Sequence, residues 1–170
     1  FGATEDTMVA LCSAPGRTEI CGNHTDHQHG RVLAAAVNLD FLACVALNGT
    51  SVVHFQSEGW PMTSVDLADL EVKEEEKETT ASLIRGVLAK LHKAGYPVAG
   101  FDMYVTSTVL PGSGLSSSAA CEVLIGTTGN HLFCQDKFDA VEIAKIGQAA
   151  ENEYFGKPCG LMDQTASSVG

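Results

Sequence analysis

The sequence predicts one globular domain that mixes strands with helices. Three observations lead there. The chain has 170 residues, enough for one sizeable core. Hydrophobic residues make up 45% and charged residues 18%, the balance of a folded chain and not of a disordered one. The apolar pattern changes along the chain, from short β-like runs to helical spacing.

The elements follow in order. Residues 8–14 form an apolar run ending at Pro15-Gly16, which reads as a buried strand entering a turn. Residues 16–30 are polar and rich in His, so they read as a long loop, or a loop with a short helix, of the kind that often carries function. Residues 32–47 are apolar apart from Asn38 and Asp40, and read as two strands. Residues 51–56 are a further short strand, and the charge run at 71–78 is a solvated face or loop. Leu83, Ile84, Val87, Leu88 and Leu91 have the spacing of an amphipathic helix, closed by Lys93, Gly95 and Pro97. Residues 101–109 alternate as a strand does. A helix follows from Ala119 through Gly126 and beyond, then a second over 137–154 with Phe138, Val141, Ala144, Ile146 and Ala149 as its buried positions. Residues 156–160 break it, and 161–169 begin another element. There is no internal repeat.

Lys and Arg number 10 against 21 Asp and Glu, for a net charge of -11. Such a chain lacks the surplus cations that non-specific nucleic-acid or anionic-membrane binding needs. It retains the means to bind a phosphate locally through backbone N–H groups. No apolar stretch is long enough to span a bilayer, and no basic segment followed by an apolar one opens the chain. The six Cys, at 12, 21, 44, 121, 134 and 159, lack the spacing of a secreted disulfide framework. Several sit in apolar runs, where Cys packs as a small core residue. The expectation is a reducing cytoplasm.

The strand at 101–109 runs into Leu110-Pro111-Gly112-Ser113-Gly114-Leu115-Ser116-Ser117-Ser118, which opens a helix. Gly112 and Gly114 permit close backbone approach and positive φ. Free N–H groups at the helix start, aided by the dipole, would face an anion. On the loop alone, a helix with serine N-caps fits equally well. No Lys follows the glycines, so this is not a Walker A loop.

Residues 111–120 resemble the nucleotide-phosphate motif of the GHMP kinases, and the three consecutive serines are most like its galactokinase branch. The resemblance implies that Gly112, Ser113, Gly114, Leu115, Ser116, Ser117 and Ser118 wrap the phosphates of ATP. It also implies that Ser118 and Glu151 hold Mg²⁺, whose preference for oxygen ligands suits them. Residues 15–26, Pro-Gly-Arg-Thr-Glu-Ile-Cys-Gly-Asn-His-Thr-Asp, resemble the branch's sugar signature G-R-x-N-L-I-G-E-H-x-D-Y. Arg17, Gly22, His24 and Asp26 match it. Glu19 stands for the family Asn, Asn23 for the family Glu and His27 for the family Tyr. Asn23, His24 and Asp26 are thereby implied to hydrogen-bond sugar hydroxyls. Residues 150–164 resemble A-E-N-x-F-x-G-x-x-C-G-x-M-D-Q. That motif implies Asp163 as the general base toward the sugar C1 hydroxyl, Arg17 beside it, and Gly160 close to the sugar.

The resemblance covers residues 14–168 and implies an α+β domain, the GHMP-kinase amino-terminal domain (ribosomal protein S5 domain 2-like), a mixed sheet partly covered by helices. The implied activity is transfer of the ATP γ-phosphate to galactose. It further implies a carboxy-terminal domain absent from residues 1–170, whose closure normally completes the site, so that these residues alone would be a weak catalyst or none. Three alternatives stand beside galactose: another sugar, a non-catalytic sugar and ATP sensor, and a metal site at Cys21, His24, His27 and His29, residue types that suit Zn²⁺ in a spacing that matches no known finger.

Overall fold

The computed structural model describes residues 1–2 and 4–170. Strands β1 (Ala10–Cys21), β2 (Leu33–Leu47), β3 (Val52–Ser57), β4 (Thr63–Asp66) and β5 (Phe101–Ser107) form one sheet in the order β1-β2-β5-β3-β4. β3 and β5 run parallel and the other neighbours antiparallel, so the sheet is mixed as expected. Helices α1 (Thr80–Lys93), α2 (Ser117–Cys134), α3 (Ala140–Ala150) and α4 (Met162–Val169) complete the α+β domain.

The strands alternate as half-buried strands must. Cys12 and Ala14 of β1, Ala43 and Val45 of β2, and Met103 and Val105 of β5 turn inward beneath the helices. Leu11, Cys44 and Tyr104 align across the other face and are exposed. The core closes between the inner face and Ile84, Val87, Leu88, Leu124 and Ile125 of α1 and α2.

Three expectations need correction. The first strand does not turn at Pro15-Gly16. It runs on to Cys21 through a register shift between Pro15 and Arg17. β1 is an edge strand, where Pro forfeits no ladder bond. A Cβ on Gly16 would meet the Leu115 carbonyl oxygen at 3.0 Å, so Gly lets this strand lie against the loop before α2. Second, residues 33–47 are one strand, not two. Asn38 is exposed, and Asp40 accepts a 2.6 Å hydrogen bond from the Ser13 hydroxyl, so both polar residues are accommodated without a break. Third, the helix expected over 137–154 starts later. Asp139 and Glu142 form a capping box with bonds of 2.8 and 2.9 Å that fixes the start of α3. α3 then passes into a single π-helical turn, Glu151–Phe155.

Candidate active site

β1, the loop before α2, the π turn and α4 converge at one end of the sheet. Arg17 lies near the end of β1 and is buried. Its Nε and Nη2 donate to the two carboxylate oxygens of Asp163 at 2.6 and 2.7 Å, a bidentate pair. Its Nη1 donates to the Gly114 carbonyl at 2.7 Å, and its backbone N–H to the Leu115 carbonyl at 3.0 Å. One residue thus ties the strand to the Gly- and Ser-rich loop and to α4.

Ser116 precedes α2 with φ 59, in the left-handed region. Its side chain makes no cap bond, and the hydroxyl donates to Asp163 at 2.5 Å instead. This departs from the simple capped helix: the serine at the cap position looks away from the helix backbone. Gly112 and Gly114 both have positive φ, at 75 and 78. Asp163 is not a helix cap either, since it lies inside the first turn of α4. Burial pushes its carboxyl up, but the hydrogen bonds from Arg17 and Ser116 and the Arg17 charge outweigh that and hold it below the usual carboxylate range.

Glu151 opens the π turn and is buried. Ser118 Oγ donates to its Oε1 at 3.2 Å. The Gln164 amide donates to Glu151 Oε2 at 2.8 Å and to Glu122 at 3.0 Å. Glu122 is fully buried, with burial first and the neighbouring Glu151 second pushing its carboxyl well above the ordinary range. Two hard oxygen donors side by side, one with its orientation fixed from behind, are a chemically suitable partial shell for Mg²⁺. Among the described residues no three His, Cys, Asp or Glu side chains converge as a metal centre, so Cys21, His24, His27 and His29 do not form one.

A polar cleft of about 360 Å³ gathers Arg17, His24, the residues from Gly112 to Gly114 and from Ser116 to Ser118, Glu151 and Asp163. The other expected sugar residues sit elsewhere. Asn23 is exposed, with φ 53, and does not line this cleft. Asp26 accepts the Met162 backbone N–H at 2.9 Å, satisfying a free donor at the start of α4. Gly160 lies against Asp26, where a Cβ would collide with the carboxylate.

Sequence reasoning missed a second, more apolar cleft of about 560 Å³. Phe41, Phe55, Trp60, Leu83 and Phe155 contribute to it, and Ser117 and Ser118 line both clefts. These residues come from scattered segments. The only local signal was Trp60-Pro61, the one Trp of the chain in an otherwise polar stretch.

Known proteins resemble this chain in sequence and in fold. Residues 82–170 match the GHMP kinases N terminal domain, and residues 1–47 match the galactokinase galactose-binding signature. The chain is 37% identical to a galactokinase of Clostridium tetani over 92% of its own length, and 35% identical to one of Streptomyces coelicolor over 99%. It spans 40% and 42% of those two relatives. The galactokinase of Lactococcus lactis, solved in complex with galactose, superposes with a TM-score of 0.87 at 31% identity, over 98% of this chain and 42% of that one. The mevalonate kinase of Methanococcus jannaschii shares the fold, with a TM-score of 0.75 at 16% identity over 98% of this chain and 52% of that one. This chain belongs to the GHMP kinase family and carries its N-terminal domain.

Proposed function

We propose that the complete polypeptide carrying this domain is a galactokinase-type enzyme that transfers the γ-phosphate of ATP to the C1 hydroxyl of galactose. The observation that carries the reading is the position of Asp163. Its carboxylate is held ionised by Arg17 and Ser116, at the junction of the Gly- and Ser-rich loop and the His24 loop. In this reading Asp163 accepts the C1 proton as the sugar oxygen bonds to the γ-phosphorus and ADP leaves. A carboxylate with a lowered proton affinity takes the proton late, when the attacking oxygen is already acidified. Arg17 keeps Asp163 charged and offsets charge on the transferring group.

The backbone from Gly112 to Ser118 wraps the phosphates, and the apolar cleft beside it takes the base of ATP. Ser118 and Glu151 would hold Mg²⁺, which would neutralise phosphate charge when bound. His24 meets the sugar from within the cleft, and Asn23, Asp26 and Gly160 flank residues that line it. A second domain of the same polypeptide closes over the site and excludes water. The cytoplasm fits the six unpaired Cys, and no helix among the described residues is long and apolar enough to cross a membrane.

One observation favours a second reading, a different sugar. The acid of the family signature is absent at Asn23, and the acid that appears at Glu19 is engaged with His24. Sugar-dependent ADP release by the complete polypeptide, with ATP, Mg²⁺ and a panel of hexoses, tests both. Selective turnover of galactose supports the first reading, and turnover of another hexose supports the second. No turnover with any sugar overturns both.

A further inference from the structure

Relative to the family signature, this sequence carries its acid at Glu19 and its amide at Asn23. The fold gives the displaced acid a task. Alternation along β1 puts Arg17 and Glu19 on the same face. The ladder with β2 shifts register directly after Glu19. Gly22, Asn23 and His24 then follow with φ of 118, 53 and 52, which turns the chain back on itself. His24 consequently lies over Glu19. The Glu19 carboxylate accepts the His24 backbone N–H at 2.9 Å through Oε1, and Oε2 lies 2.5 Å from Nδ1 of the ring.

The other ring nitrogen faces the site. Nε2 is 3.1 Å from Arg17 Nη2 and 3.8 Å from an Asp163 oxygen. An ionised carboxylate only accepts and a guanidinium only donates. Nδ1 must therefore carry the hydrogen toward Glu19, and Nε2 must present its lone pair to Arg17. A second proton on Nε2 would set one donor against another. The groups around the ring are Glu19, Arg17, Asp163 and His27, whose Nδ1 lies 2.5 Å from the His24 carbonyl oxygen.

We infer that Glu19 is a positioning residue that fixes His24 as the Nδ1–H tautomer, so that its Nε2 stands in the cleft as an acceptor beside the Arg17–Asp163 pair. A ligand hydroxyl that displaces the Arg17 N–H from that lone pair is held as a donor, so the site favours a ligand that offers a hydroxyl hydrogen over one that can only accept. The consequence for galactose rests on the kinase reading, whereas the assignment of the tautomer does not.

The test is a long-range proton–nitrogen correlation spectrum of the ¹⁵N-labelled chain, recorded where its imidazoles are neutral. His24 is assigned by the signal lost in His24→Gln. The expected wild-type pattern is Nδ1–H with an unprotonated Nε2. Glu19→Leu should abolish that preference, and Glu19→Gln should weaken it, because its one amide oxygen can serve the His24 backbone N–H or Nδ1–H but not both. A wild-type His24 protonated on Nε2, a readout that needs no variant, overturns the assignment. So does an unchanged pattern in a folded Glu19→Leu. In the complete polypeptide, Glu19→Leu should raise the sugar KM about tenfold, as for one lost oriented hydrogen bond, and change kcat far less. Failure of galactose to bind while His24 keeps the Nδ1–H pattern supports the Glu19 assignment and counts against the galactose reading alone.

Discussion

Two buried arginines in this domain make the same local bond and serve different ends. Arg17 grips Asp163 with two bonds, and Arg85 on α1 grips Glu76 with two bonds of 2.7 Å. Arg85 spends its remaining donors on the Asp66 and Asp69 carbonyls, pinning the segment before α1 to the helix. Arg17 spends its remaining donors on Gly114 and His24, both lining a cleft. Asp163 lines that cleft as well and takes a hydroxyl from Ser116, while Glu76 lines neither of the two clefts described. A bidentate ion pair is therefore no sign of chemistry in itself. What separates the two is whether the carboxylate borders a space that a ligand could fill.

The comparison breaks if the two carboxylates respond alike. Glu76→Gln leaves Arg85 with a buried and unbalanced charge, so it should destabilise the fold by about 3 kcal/mol. That corresponds to roughly 10 °C in Tm for a chain of this size, with sugar turnover preserved. Asp163→Asn in the complete polypeptide should lower turnover by about a hundredfold, near 2.7 kcal/mol in the barrier, and leave sugar binding nearly intact. Its Tm should fall less than that of Glu76→Gln, because Arg17 borders a cleft whose water can solvate its charge, whereas Arg85 lines neither cleft. Steady-state kinetics and thermal melts on both variants decide the matter, and matching losses of stability with matching activities would erase the distinction.

The pH dependence sharpens it. Glu76 and Asp163 both bind protons more weakly in the fold, Glu76 chiefly through its bond to Arg85 and Asp163 through Arg17 and Ser116 despite burial. Their contributions are present above the ordinary values of 4.5 and 3.8 and are lost as pH falls through the depressed folded values. Glu122 has the opposite sign. Its contribution is fully present below its ordinary 4.5 and is lost as pH rises through its raised folded value. Urea midpoints across the pH range should show Glu76→Gln flattening the acid limb and Glu122→Gln flattening the decline toward alkaline pH. The latter should be as stable as wild type at pH 8, or up to about 1 kcal/mol more so. The smallest effect belongs to the exposed Lys77–Glu74 pair, where Lys77→Ala should stay within about 0.5 kcal/mol.

Much of this was legible in the sequence, for reasons that differ by element. α1 announced itself because Leu83, Ile84, Val87, Leu88 and Leu91 are all buried on one face. The residues from 111 to 118 were legible as one Gly- and Ser-rich loop opening α2 because they are contiguous. Arg17 and Asp163 were named as neighbours across 146 positions only through the family resemblance, since nothing in local spacing brings them together. β4 was missed because it has four residues, of which only Val65 is buried, too little for periodicity to register. The charge run at 71–78 read as solvated, and no local pattern marks Glu76 as the residue that turns inward to Arg85. The bulges in β1 were invisible because a register shift is a property of two strands, and a one-strand pattern does not record it.

The π turn at Glu151–Phe155 has a consequence for how this domain tolerates change in length. Its closing bond runs from the Gly156 N–H to the Glu151 carbonyl at 3.0 Å, five residues apart, so the turn holds one residue more than an α-helical turn would. Deleting one residue at its start would let the segment relax into ordinary helix and swing Asn152 through Phe155 by about 100° around the axis. Tyr154, whose hydroxyl donates to the Leu70 carbonyl at 3.0 Å, would leave its partner, and Cys159 would lose the Asn152 side chain that accepts its N–H at 2.7 Å. Descendants of this sequence should therefore keep the number of residues in this stretch.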